Sequence, residues 1–247
     1  MLNNKDLKPL FQHSPATQQA LLPNGVEEAL DGSITLLDTC NMARDILLTM
    51  NEHVQTIQSA LRRKGRDHSR LEASIHAYIS HRKKAKKEIV KCLAALKRMD
   101  GISNISTTTT SSPILDLDHQ PSMVVRVVRE SSTVTISIFR ALLELLAVTA
   151  TKTKAAGGWS LISKLMPVRL SSSEKGQRIG NLVASVDFAL CFLLGNIQSN
   201  DIRAEVQMAQ RTLETLSLTS EGLVAGLDSM FRCLVQYRVS LLNILTQ

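Results

Sequence analysis

The spacing of the apolar residues constrains this chain more than any other feature. From Leu36 they recur at Cys40, Ala43, Leu47, Met50, Val54, Ile57 and Leu61, in steps that alternate between 4 and 3. A helix turns once in about 3.6 residues, so this alternation lays an apolar stripe along one face. Val26 and Leu30 extend the stripe, and the spacing predicts a helix from about Gly25 to Arg63. The same alternation runs through Leu71, Ile75, Tyr78, Arg82, Ala85, Ile89, Cys92, Leu96 and Met99, with Arg82 the one charged residue on it. Between the two stripes lies RRKGRDHS, with Gly65 as a stop and Asp67 or Ser69 as a cap. So short a connection predicts an antiparallel helical hairpin. Gly101 is expected to end its second helix.

The C-terminal part holds one phase for longest: Ile202, Val206, Ala209, Leu213, Leu216, Ser220, Leu223, Leu227, Met230, Leu234, Tyr237, Leu241 and Ile244. Gly222 and Gly226 each weaken a helix by roughly 1 kcal/mol relative to Ala. The phase nevertheless passes through them unshifted, which predicts one long helix. The segment Ser122–Val148 is ambiguous at its centre, because Thr133 to Ile138 alternates like a strand. Its length and lack of Gly or Pro favour helix, with a stripe through Val124, Val127, Ser131, Val134, Ile138, Leu142 and Leu145. Apolar residues on more than one side mark it as the expected most buried helix.

Residues 101–120 are Ser/Thr-rich with little to bury and read as a flexible linker. Residues 151–177 read as an irregular connection, framed by Gly157, Gly158 and Pro167 around Trp159, Leu161, Ile162 and Leu165. Gly (11) and Pro (6) fall below average usage and aromatics make up only 3%, which argues against a strand-rich fold. The expected fold is all-α: one helical domain over 1–247, an elongated antiparallel bundle of long helices with a long C-terminal helix.

Two apolar runs could suggest a membrane span. Val134 to Ala150 contains Arg140 and Glu144, spaced to pair on one helix. Leu182 to Ile197 contains Asp187 and falls short of the ~20 residues a span needs. No signal peptide is visible, so a cytoplasmic protein, at most peripheral to a membrane, is expected. Cys40, Cys92, Cys191 and Cys233 form no closely spaced pair and read as buried reduced thiols.

Few residues spell out chemistry. No HExxH, GxSxG, P-loop or GxGxxG is present. Glu72 and His76, four apart, could form half a metal site, but a surface hydrogen bond is the commoner use of such a pair. No cofactor, metal or catalytic set is expected, and the protein reads as a non-enzyme.

Charge is unevenly placed. From Arg62 to Arg98 there are 13 Lys/Arg and 3 Asp/Glu, a net of +10 in a chain of +7. Lys84, Lys86, Lys87 and Lys91 fall opposite the second stripe, and Lys83 flanks it. With Arg62, Arg63, Lys64 and Arg66 at the hairpin tip, they form a candidate surface for anions. Three readings of that surface compete: an ordinary solvated face, attachment to an anionic membrane or an acidic protein, and nucleic-acid binding. Interleaved aromatics are missing, so nucleic acid is not the expected partner. Arg82 either pairs with an acid on a neighbouring helix or fixes the register between helices.

The strings PATQQALL, VEEALDGSITLLDTCNMARDILLTMNEHVQTIQSALRRKGRD, AYISHRKKAKKEIVKCLAALKRMD, WSLISKLM and FRCLVQYRVSLLNILTQ, taken in this order, resemble the plant BYPASS-like family. The resemblance spans nearly the whole chain. It implies a helical plant protein linked to root and shoot development, with no enzyme activity established for the family. Members usually carry a longer region before the TQQAL-like string, which leaves open whether a bundle helix is missing here. Residues 170–200 resemble the family only weakly. The expected function is regulatory or scaffolding, through helix-mediated binding of a protein partner at the apolar seams. The alternative is peripheral attachment to anionic lipid through the basic face. A second copy of the chain also remains open as a partner.

Overall fold

The computed structural model describes residues 23–63, 68–108, 119–148, 174–196 and 203–245. Five helices occupy them: α1 (Pro23–Arg62), α2 (His68–Thr108), α3 (His119–Ala147), α4 (Glu174–Asn196) and α5 (Arg203–Leu245). No strand occurs among the described residues. The all-α class and the long last helix therefore agree with the apolar spacing.

The boundaries follow local chemistry. Pro23 opens α1 at a position where its missing N–H leaves no intrahelical bond unmade. α2 starts at His68, between the two residues expected to cap it. Gly101 does not end α2, which continues to Thr108. A single Gly costs a helix only about 1 kcal/mol relative to Ala, too little to stop one that neighbouring packing supports. Both ends of the expected 101–120 linker are thus helical, and 109–118 lie outside the described residues. Likewise α4 opens at Glu174, inside the expected irregular connection 151–177. Trp159 and its amphipathic turn lie outside the described residues.

The stripe of α1 is buried as spaced: Leu36, Cys40, Ala43, Leu47, Met50, Val54 and Ile57. Ser33, Thr39 and Ile46 broaden it, so α1 is the most deeply covered helix among the described side chains. α2 buries Leu71, Ile75, Tyr78, Arg82, Ala85, Ile89 and Leu96 from its stripe, and α5 buries Ala209, Leu213, Leu216, Ser220, Leu227, Leu234 and Leu241. α5 runs unbroken through Gly222 and Gly226. α3 departs from expectation in both phase and burial. Val134 and Ile138, on the expected stripe, are 58% and 47% exposed, and the buried row is Ile136, Phe139, Leu143 and Leu146. Two apolar rows compete on this helix. The row with Phe139 and two Leu removes more apolar area from water, so it faces inward.

The described helices fall into two compact units. The first combines α1 up to Asn41, α2 from Cys92, α3 up to Arg140 and α5 from Ser229. In it, Arg238 Nη1 donates to the Leu30 carbonyl (2.7 Å) and to Ser33 Oγ (2.8 Å). Arg140 reaches Asp100 on α2 at 3.0 Å, a different acid from the Glu144 that its own helix offers. A Cβ on Gly32 would stand 3.2 Å from Met99 Cε, so the missing side chain lets Met99 come close.

The second unit combines α1 from Met42, α2 up to Lys91, α3 from Ala141, α4, and α5 up to Asp228. Here Arg44 donates to Asp228 at 2.7 Å and Ser217 donates to Asn51 at 2.7 Å. Residue numbers rise along α1 as they fall along α5, so the two are antiparallel. His81 lies 3.3 Å from the Ile46 carbonyl. That places α2 back along α1, as the hairpin spacing requires. None of the four cysteines is in a disulfide, but the expectation that all are buried fails: Cys40 is buried, whereas Cys191 and Cys233 are exposed. Cysteines spaced too widely for a metal or redox pair need not be core residues.

The inverted phase of α3 has a direct test. Phe139→Ala should lower stability by about 3–5 kcal/mol, and Val134→Ala should change it by no more than about 0.5 kcal/mol. Urea unfolding midpoints of the two variants would compare them, and equal losses would contradict the observed face.

Candidate functional site

A charged side chain on an apolar stripe must find partners or be expelled. Arg82 is 6% exposed and finds them entirely within the second unit. Its Nε and Nη2 fork onto Asp187 of α4, at 3.2 Å to Oδ1 and 3.3 Å to Oδ2. Nη1 donates to the Leu146 carbonyl and Nη2 to the Val148 carbonyl, both at 2.7 Å. Those carbonyls belong to the end of α3, where a helix has no N–H of its own to offer them. Arg82 therefore caps α3 with a cation at its negative pole while holding the α4 carboxylate in a two-pronged grip. The Tyr78 hydroxyl, one turn earlier on α2, donates to Asp187 Oδ1 at 2.9 Å. Burial, followed by the negative charge of Asp187, pushes the Tyr78 pKa well above its ordinary value, so the hydroxyl stays a donor. A planar fork with several fixed donors is what Arg supplies and Lys does not.

The cluster has the character of a structural bolt. Its charges satisfy one another, and nothing in it is free to take a substrate. Arg82 stands out in the sequence as an anomaly with two readings. The structure supports pairing with an acid on a neighbouring helix, and identifies the acid as Asp187. The carbonyls it caps have no signal in the sequence.

The opposite side of α2 is open. Lys83, Lys84, Lys86, Lys87 and Lys91 are all exposed, as are Arg62 and Arg63 at the end of α1. Lys64 and Arg66 lie outside the described residues. Lys91 pairs with Glu88 at 2.9 Å. Among the described residues, no carboxylate lies within ion-pair distance of Lys83, Lys84, Lys86 or Lys87. Val90 is 58% exposed on the same helix. The exposure of these lysines accords with their positions off the buried stripe of α2.

His81 and His53 face each other with ring centroids 5.4 Å apart. Burial lowers the His81 pKa below its ordinary 6.5; His53, Arg82 and Lys84 act in the same direction, and the hydrogen bond to the Ile46 carbonyl opposes them. Glu72 and His76 approach to 3.8 Å on an exposed surface. No group of three or more metal-ligating side chains occurs among the described residues. An open recess of about 400 Å³ is lined by Glu52, Gln55, Thr56, Ser59 and Arg70. It brings together no set of groups poised for catalysis.

Among the described residues, no helix is long and apolar enough to cross a membrane. A family model described as Protein BPS1 matches residues 5–244. The match runs through 170–200, where the family resemblance of the sequence is weak, and so includes Asp187. No curated protein and no solved structure matches the chain.

The Arg82 cluster and His81 each generate an expectation for stability. Asp187→Asn strips Arg82 of its counter-charge and should lower stability by about 3–5 kcal/mol, and Arg82→Met with Asp187→Leu should recover most of that loss. Urea unfolding of the single and double variants measures both, and an additive double variant would refute the coupling. His81 binds its proton less readily folded than unfolded. Its contribution to stability is therefore intact above pH 6.5 and is lost as pH falls from there through the depressed folded value. The unfolding midpoint should drop over that interval, and the drop should be smaller in His81→Gln.

Proposed function

The chain belongs to the Protein BPS1 family, and from that premise we propose that it is a plant developmental protein, regulatory or scaffolding in kind, that works by binding and not by catalysis. Membership in this family suggests the developmental role. The open basic face of α2 carries the binding reading, because it sets side by side on one helix four lysines with no carboxylate partner among the described residues. Such a concentration exceeds what solubility asks of a surface, where both signs are normally interspersed. The partner this face suits is anionic, and the attraction is electrostatic.

A second reading concerns a protein partner at apolar helix faces. Most of the seam residues expected to offer such a surface are covered by other helices. What favours the reading is a smaller feature, in the first unit: Val235, Val239 and Leu242 on α5 are 39%, 50% and 42% exposed, at steps of 4 and 3. A partner helix presenting its own apolar stripe would suit that row.

Complementation tests the first reading. In a plant line lacking this protein, the wild-type chain should restore root and shoot growth. A chain with Lys83, Lys84, Lys86, Lys87 and Lys91 changed to Glu should fail, though it keeps wild-type helicity and thermal stability. Full rescue by the charge-reversed chain would refute a functional role for the face.

A further inference from the structure

We propose that the outer face of α2 in the second unit is a docking surface for an anionic lipid membrane. This rests on the binding reading above and names its partner. Three observations favour a membrane over an acidic protein.

The first is the type of cation. All five basic residues from Lys83 to Lys91 are Lys, whereas Arg82, the residue that makes a specific two-pronged contact, points into the core. Lys is a hydrated point charge on a flexible stem, suited to a diffuse field. Recognition of particular carboxylates on a protein favours the Arg fork instead.

The second is shape. Ala73, Ala77, Ser80, Lys84, Lys87 and Lys91 follow one another in steps of 4, 3, 4, 3 and 4, and all are exposed. They trace the outer ridge of the helix. Its first half is small side chains and its second half is lysine. A convex ridge offers no groove to an extended peptide, and the recess at Glu52 and Arg70 is lined by other residues. A ridge with small residues at one end can lie along a plane while long lysine stems reach into it.

The third is Val90, 58% exposed, about a quarter-turn round from the ridge on the side it shares with Lys83, Lys86 and Lys87. An apolar side chain among cations is out of place in water, but at a headgroup boundary it enters the acyl edge while its neighbours meet the phosphates. Lys83 to Lys91 spans about 12 Å of helix, comparable with the ~8 Å screening length at physiological salt, so the charges act as one patch. Each lysine near anionic lipid strengthens partitioning about fivefold. Glu88, which holds Lys91, subtracts from the total.

The experiment is co-sedimentation of the full chain with phosphatidylcholine vesicles, with and without phosphatidylserine, at low and at physiological salt. The wild-type chain should pellet with the phosphatidylserine vesicles at physiological salt and stay in solution with phosphatidylcholine alone. Changing the five lysines to Glu should weaken binding more than tenfold, and changing them to Arg should preserve it. Val90→Ser should weaken it several-fold without altering its salt dependence. No pelleting of the wild type, or equal pelleting of the Glu variant, overturns the proposal. Salt-dependent binding to soluble polyglutamate, with none to vesicles, also overturns it, while leaving the binding function itself standing on an acidic protein partner. Failure of the charge-reversed chain to complement, with no vesicle binding by the wild type, would likewise overturn the membrane and keep the binding face.

Discussion

The second unit depends on what happens to one guanidinium. Arg82 lies where packing demands an apolar residue, and its charge is tolerated only because a carboxylate, a phenol and two helix-end carbonyls converge on it. A buried pair of this kind adds little net stability over a well-packed apolar pair, since desolvation offsets the attraction. Its consequence is specificity. A Leu at position 82 could slide past neighbouring helices at little cost, whereas Arg82 is satisfied only when α3 ends beside it and Asp187 lies within reach. The first unit uses the same device more lightly, with Arg238 of α5 held by the Leu30 carbonyl and Ser33 of α1.

Several of these polar contacts start from residues in strings that carry the family resemblance, and the Arg238 contact joins two such strings. Leu30 and Ser33 lie in the LDGS string and Arg238 in RVSLLNIL; Arg44 lies in CNMARD and Arg82 in ISHRKK. A string of distinctive polar residues is recognisable because such residues cannot be exchanged freely. Here the reason for several of them is a hydrogen bond to a distant helix. Family membership and fold are thus read partly from the same residues, and one of those strings also carries the exposed lysines on which the binding reading rests.

Legibility in the sequence follows the number of apolar rows on each helix. α1, α2 and α5 each carry one dominant row, and periodicity alone places nearly all of their buried residues. α3 carries two. Periodicity cannot rank Val134 and Ile138 against Ile136 and Phe139, because the choice depends on what the neighbouring helices present. The end of α2 escapes local reading for a related cause: Gly101 weakens a helix locally, while the decision to continue draws on tertiary support. Within the site, the basic face is legible because exposure follows helical phase. Asp187 is visible only as a charge in an apolar run, and its partnership with Arg82 is a contact across 105 positions that no local pattern encodes.

The Arg82 cluster also bears on how this family can vary. Arg82 holds Val148, the last described residue before the segment 149–173, and Asp187, which lies on the first helix after it. The C-terminal end of α3 and the middle of α4 are thereby tied to a common point. Lengthening the chain between two points that are already held together costs little, about 0.6 kcal/mol for each doubling where the added chain is unstructured. Insertions there would leave the helices on either side in register. Relatives can therefore be expected to differ in length between α3 and α4 far more freely than between α1 and α2, making this joint the fold's natural place for evolutionary elaboration.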